Sequence, residues 1–236
     1  MDVLSEVQLK AINIKDGPAM IIAGPGSGKT KVIASRITNL INNHNIDPSN
    51  ILAMTFTNKA AQEMKERCMS LTDASNLNIF TFHSLSAFLL RRYGLKIGIE
   101  QNFTIFDDSD QLRIIKKIFK DANKDPKKLP FKTSTLLNEI SYFKNENIHH
   151  TKVKDLDKYE EGGYGELISD FFKRYETELA NSNALDFDDL LLKTADLLKS
   201  SHEIRDMLEN KYIYLLVDEF QDTNKLQLDI SIKLAE

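Results

Sequence analysis

Ala19-Met20-Ile21-Ile22-Ala23-Gly24-Pro25-Gly26-Ser27-Gly28-Lys29-Thr30 is the stretch on which the reading of this chain turns. A short apolar run passes into three glycines and then Lys29-Thr30. Beyond it Ile33, Ile37 and Leu40/Ile41 recur at helical spacing as far as Asn42. The pattern predicts a buried strand over Ala19–Ala23, a glycine loop, and a helix from Lys29. Ala23 to Thr30 matches G-x-x-x-x-G-K-[ST], except that Ala23 stands at the first position. Glycines let backbone N–H groups turn inward around phosphate oxygens, and the following helix directs its positive end at the same anions. Lys29 is suited to neutralise β- and γ-phosphates, and Thr30 to offer a hydroxyl to Mg²⁺.

Working outward, Ile51-Leu52-Ala53-Met54 reads as a second strand, with a helix over Lys59 to Leu71. Asn78 to Phe82 reads as a third strand, with a helix over Leu85 to Tyr93. Alternation of this kind predicts a parallel sheet with helices on both faces. From Asp108 to about Leu208 helical periodicity takes over and no strand is expected. Asp125-Pro126 and Leu129-Pro130 break the chain between helices, and Gly162-Gly163 forms a further glycine cluster. Tyr212 to Val217 is again an apolar run and ends in Asp218-Glu219. A phosphate loop calls for a second carboxylate on a neighbouring strand. Asp218 suits the metal and Glu219 a general base for an attacking water. The long stretch between Lys29 and Asp218 exceeds what a few βαβ units need, so an α-helical insertion interrupts the α/β domain. The expected boundaries are 1–100 for the first part of the α/β domain, 101–185 for the insertion and 186–236 for the return.

The chain has 236 residues, enough for a core that buries about 70% of the unfolded surface. Hydrophobic residues make up 42% and charged residues 28%, which excludes collagen-like and wholly disordered classes. A net charge of −4 leaves no global basic field, so any nucleic acid must be met through a local groove. No apolar run reaches the roughly 18 residues of a membrane span. One cysteine, Cys68, rules out a disulfide framework and a cysteine-rich zinc site, and fits a reducing cytoplasm. His149-His150 has no evident carboxylate partner in sequence, so no metal site is expected there. Asp186, Asp188 and Asp189 read as an acid cluster at a helix N-terminus. Arg113, Lys116, Lys117 and Lys120 read as one solvated helix face.

Taken together the motifs resemble the N-terminal part of superfamily-1 DNA helicases of the UvrD/PcrA/Rep type. Leu4-Ser5-Glu6-Val7-Gln8-Leu9-Lys10-Ala11 is similar to that family's Q motif, and Ala23 to Thr30 to its motif I. Thr55-Phe56-Thr57-Asn58-Lys59-Ala60-Ala61 is similar to motif Ia, and Thr81-Phe82-His83-Ser84-Leu85 to motif Ib. Asp218-Glu219-Phe220-Gln221-Asp222-Thr223 is similar to motif II. The resemblance implies a RecA-like ATP-binding motor domain of a 3′-to-5′ helicase. It implies ATP and Mg²⁺ as cofactors, single-stranded DNA and single-strand/duplex junctions as partners, and a second RecA-like domain outside these residues. Without that second domain the chain alone is expected not to unwind DNA or turn over ATP at a motor's rate. Fragments of a helicase–nuclease subunit of the AddA/RecB kind, or a non-translocating P-loop ATPase or DNA-binding module, are the alternatives.

The resemblance also assigns roles. Lys29, Glu219 and Gln221 would be catalytic, with Gln221 linking the γ-phosphate to DNA-contacting loops. Gln8, Ala23, Gly24, Pro25, Gly26, Ser27, Gly28, Lys29, Thr30 and Lys31 would hold the nucleotide, and Thr30 with Asp218 the metal. The Gln8 amide can bond adenine N6 and N7 together, favouring ATP over GTP. Lys31 departs from the arginine usual at its position, and an ammonium has no planar face to stack on adenine. Phe56 and Phe82, at strand ends, would stack on bases. Thr57, Asn58, Lys59, His83 and Ser84 would meet the DNA backbone.

Overall fold

The structure is a computed structural model that describes residues 4–72, 74, 76–122, 132–156 and 164–235. It is mixed α/β, mostly helical, with small parallel sheets. Two compact units make up the chain: residues up to Leu85 with Arg205–Thr223 and those from Ser231 on, and Ser86–Ile204 with Asn224–Ile230. Asp125-Pro126, Leu129-Pro130 and Gly162-Gly163 lie outside the described residues. No helix among the described residues is long and apolar enough to cross a membrane.

In the first unit, α1 (Glu6–Asn13) and α2 (Lys29–His44) are followed by β1 (Ile51–Thr55), α3 (Asn58–Met69) and β2 (Asn78–Thr81). The chain later returns as β5 (Tyr214–Val217). The sheet order is β2-β1-β5, all parallel, with Ala53 opposite both Ile79 and Leu216. β1 is central and buried along its whole length, which its unbroken apolar sequence demands. Ala34, Ile37 and Leu40 of α2 pack with Met64 and Cys68 of α3 and with Ile51 and Ala53 beneath them. Cys68 is fully buried, and that burial pushes its thiol up to about 11.

Two expectations fail here. Ala19–Ala23 is not a strand, and Met20, Ile21 and Ile22 are exposed, Ile22 by 91%. An apolar run becomes a strand only beside a free edge that takes up its backbone groups. β2 and β5 are the edges of this sheet, but no described strand pairs with the run. The third strand also stops at Thr81, because Phe82 opens the helix α4 (Phe82–Tyr93).

In the second unit, β3 (Thr104–Phe106) pairs in parallel with β4 (Ala184–Asp186), Ile105 lying opposite Leu185. The expectation of a strand-free insertion is therefore corrected. Three-residue strands flanked by helices leave no alternation to read. The helices are α5 (Asp108–Asp121), α6 (Thr133–Asn145), α7 (Tyr164–Asn181) and α8 (Phe187–Ser200). α9 (His202–Lys211) and α10 (Lys225–Lys233) are the remaining described α-helices of the chain. Ile114, Ile115, Ile118 and Phe119 give α5 one apolar face, which meets Phe143 of α6 and Phe171, Phe172 and Tyr175 of α7. Asp107 and Asp186 cap α5 and α8 through reciprocal boxes with Asp110 and Asp189. Arg113, Lys116, Lys117 and Lys120 form an exposed face, with Arg113 paired to Asp110 and Lys117 to Glu178.

At the core of this unit sits a charge. Lys144 is 0% exposed, its Nζ lying 2.7 Å from Asp186 Oδ2 and 2.8 Å from Asp189 Oδ1. The Tyr175 hydroxyl donates to Asp186 Oδ2 at 2.9 Å. Burial alone would strip the Lys144 proton, but Asp189 and Asp186 hold its pKa above the ordinary value. Burial lifts Asp189 to about 6 against the pull of Lys144. Removing one partner of such a cluster strands uncompensated charge. Lys144→Met should therefore cost about 3–5 kcal/mol in urea denaturation, although it keeps the apolar bulk. A loss below about 1 kcal/mol would mean the carboxylates find water or protons instead.

Candidate functional site

The site is built in the first unit from the loop before α2, the end of β5 and the start of α1. The loop is shaped at two glycines. Gly26 has φ +73° and Gly28 φ +84°, a left-handed backbone that side chains resist. A Cβ on Gly28 would also meet Gln8 Nε2 at 3.3 Å. Ser27 Oγ donates to the Gly24 carbonyl at 2.7 Å and closes the turn. Gly28 then caps α2, so the N–H groups of the first helical turn have no side-chain partner at the cap and face the loop.

Gln8 has a structural part that the sequence also encodes. Ser5-x-x-Gln8 is a capping box: Ser5 Oγ accepts from the Gln8 N–H, and Gln8 Oε1 accepts from the Ser5 N–H at 2.9 Å. Gln8 Nε2 also donates to the Ser27 carbonyl at 3.0 Å. The Gln8 amide thus ties α1 to the glycine loop, with one N–H and one lone pair still unspent.

β5 delivers the carboxylates. Asp218 N–H donates to the Met54 carbonyl at 2.9 Å, extending the β1–β5 ladder by one residue. Asp218 is 5% exposed, and Thr30 Oγ1 donates to its Oδ2 at 3.4 Å. Burial raises the Asp218 pKa, the Glu219 charge adds to this, and the Glu219 N–H, Thr30 and Lys29 oppose it. Hydroxyl and carboxylate oxygens facing each other in a half-buried setting suit a hard divalent cation. Lys29 Nζ lies 3.8 Å from Glu219 Oε1, a loose ion pair. Gln221 Nε2 donates to Glu219 Oε2 at 2.6 Å. Glu219 itself has φ +48°, uncommon for a residue with a side chain.

The loop residues Ala23 to Thr30, with Gln8, Asp218, Glu219 and Gln221, thus gather at one place; Lys31 follows in the first turn of α2 and is half-buried. The residues assigned to DNA divide. Thr57 caps α3 by accepting from the Ala60 N–H at 3.0 Å, and Thr57, Asn58 and Lys59 are exposed at that helix start. Phe56 is half-buried, but Phe82 is only 2% exposed, its ring edge-on to Phe56 at 6.0 Å. Phe82 is therefore corrected from a stacking ring to a packing ring, because α4 begins at it and turns it inward. The Ser84 hydroxyl is engaged with the Thr81 N–H and hydroxyl, each at 2.8 Å, and His83 is half-buried. In the second unit, the structure supplies the carboxylate that His149-His150 lacks in sequence. Glu176 Oε2 is 4.0 Å from His150 Nε2. Burial first, then His149, lowers the His150 pKa, with Glu176 pulling up and Lys173 down.

A glycine loop opens a helix here, and two carboxylates at a strand end face it in a mixed α/β fold. The chain belongs to the UvrD/REP helicase N-terminal domain family, which it matches over residues 4–236. It is 43% identical over 235 residues to the ATP-dependent DNA helicase PcrA of Bacillus subtilis (strain 168), covering 99% of this chain and 31% of that protein. It is 40% identical over 230 residues to PcrA of Staphylococcus aureus (strain Mu50 / ATCC 700699), covering 97% and 31% respectively. The chain thus spans about a third of the length of these relatives.

Glu219 offers a test of the local backbone. A left-handed residue with a Cβ carries roughly 1–2 kcal/mol of strain, partly offset in a glycine variant by greater freedom of the unfolded chain. Glu219→Gly should raise stability by up to about 1 kcal/mol, read as a higher Tm. A fall in Tm would show that the carboxylate contacts outweigh the strain.

Proposed function

We propose that the chain is the RecA-like ATP-binding part of a 3′-to-5′ DNA helicase, in which ATP hydrolysis drives movement along single-stranded DNA and opening of single-strand/duplex junctions. The observation that carries this is the juxtaposition of Thr30 and Asp218, 188 positions apart in sequence, beside the Gly24–Gly28 loop. Thr30 and Asp218 would hold Mg²⁺, which supplies charge neutralisation at the β- and γ-phosphates. The loop N–H groups and Lys29 bind the phosphates. Glu219 takes the proton from the attacking water, and Gln221, bonded to its Oε2, keeps that oxygen oriented. Gln8 holds the loop and can turn its remaining donor and acceptor to adenine. Family membership and the named PcrA relatives support ATP and DNA as ligands. Unwinding and motor-rate turnover are proposed for a whole protein of the relatives' size, working in the cytoplasm.

For DNA, Phe56 is the stacking ring, backed edge-on by Phe82. Thr57, Asn58 and Lys59 at the start of α3 meet backbone phosphates, as do His83 and Ser84, which follow Phe82 in α4. Weak, sequence-independent binding follows, falling with salt by about 0.7 log units per log unit for each phosphate neutralised.

Calorimetry with Mg·ATP tests the nucleotide part. Lys29→Ala should abolish measurable binding with an unchanged circular dichroism spectrum, and undiminished affinity would overturn the assignment. Fluorescence titration with an oligothymidylate tests the DNA part. Phe56→Ala should weaken binding by about 1–3 kcal/mol if a base stacks on it. No change would return Phe56 to a packing role.

A further inference from the structure

We infer that His149, His150 and Glu176 form a binding site for a zinc-class divalent transition-metal ion, separate from the nucleotide site. One ring nitrogen of each histidine and one carboxylate oxygen lie within 4.8 Å of one another. They come from two elements of the second unit. His149 caps the 3-10 turn His150–Asp155, and Glu176 projects from α7. The turn is fastened to α7 by more than these groups, since Ser169 Oγ donates to the His150 carbonyl at 2.8 Å and the His150 ring stands edge-on to Phe172. Val153 of the same turn is fully buried. The backbone that carries two ligands is therefore already held against the helix that carries the third.

The present contacts leave the three groups short of partners. The two imidazoles lie 4.1 Å apart, tilted by 39°. Glu176 to His150 at 4.0 Å is too long for a hydrogen bond. Among the described residues, no hydrogen bond holds the Glu176 carboxylate. Tetrahedral coordination at 2.0–2.2 Å would bring donor atoms to about 3.3–3.5 Å, a contraction that rotation of the exposed His149 ring supplies. His149 Nδ1 accepts from the Thr151 N–H at 3.4 Å and lies 2.9 Å from Thr151 Oγ1; coordination through Nε2 would move the ring proton to Nδ1, where Thr151 Oγ1 can accept it.

The donor set selects the ion. Two imidazoles and one carboxylate suit Zn²⁺ and its neighbours, and three protein ligands leave a fourth position for water. Mg²⁺ prefers six oxygens in octahedral geometry and does not compete. Bound there, the ion would clamp the His150–Asp155 turn to α7. Lys173, one turn away on α7, works against a cation and keeps the affinity moderate.

Titrating Zn²⁺ alone into the 236-residue protein by calorimetry, in a non-chelating buffer with excess Mg²⁺, tests this. One equivalent should bind. His149→Ala and Glu176→Gln, both at exposed or half-exposed positions, should each lose at least about ten-fold in affinity with unchanged circular dichroism. Lys29→Ala, which disables the nucleotide loop, should bind Zn²⁺ as the parent does. Absence of Zn²⁺ binding, parental affinity in both site variants, or an equal loss in Lys29→Ala would each overturn the site.

Discussion

The β1–β5 ladder is the interaction on which the candidate site depends. Its last hydrogen bond, from Asp218 N–H to the Met54 carbonyl, fixes where β5 ends and hence where the two carboxylates emerge. Parallel pairing makes both strands finish at the same end of the sheet, so Asp218 comes out level with Thr55 at the end of β1. A one-residue slip would reverse every side chain of β5 and send Asp218 to the opposite face. Ser86–Ile204, the larger part of the second unit, is inserted in sequence between the two strands. The chain thus keeps its chemistry on a short, stiff ladder and its bulk elsewhere.

The loop offers a second kind of rigidity. Gln8 is fixed by the capping box of α1 and in turn fixes the Ser27 carbonyl, so the loop is braced from outside. Gly28 is squeezed between its own left-handed backbone and that amide. On the proposed reading, loop N–H groups held in place before a phosphate arrives avoid ordering entropy at binding. The same brace explains a glutamine at position 8 without any reference to adenine.

Local signals were legible in the sequence and non-local ones were not. The glycine loop, the start of α2 and the acidic end of β5 each follow from spacing within a few residues. The family resemblance rests on those same motifs. The Ala19–Ala23 run looked like a strand because it is apolar and short, but pairing depends on which edge lies beside it. β3 and β4 escaped because three residues show no period. Phe82 was assigned to a ligand from its place after a strand, whereas the turn into α4 decides where its ring goes. Lys144 gave no sign at all. A lysine in the last turn of an amphipathic helix ordinarily stays in water. Only the return of Asp186 and Asp189 from far along the chain makes its burial tolerable. Their place at the N-terminus of α8 is legible in sequence, their role as counter-ions is not.

Ile22, nine-tenths exposed, and its neighbours Met20 and Ile21 sit close in sequence to the loop, and β5 is the outer strand of its sheet. A bare apolar run and an open strand edge each favour intermolecular strand pairing. Colloidal behaviour is thus written into the same few residues that introduce the phosphate loop. Dilution, moderate denaturant or a lysine in place of Ile22 acts on that tendency without touching the glycines that follow.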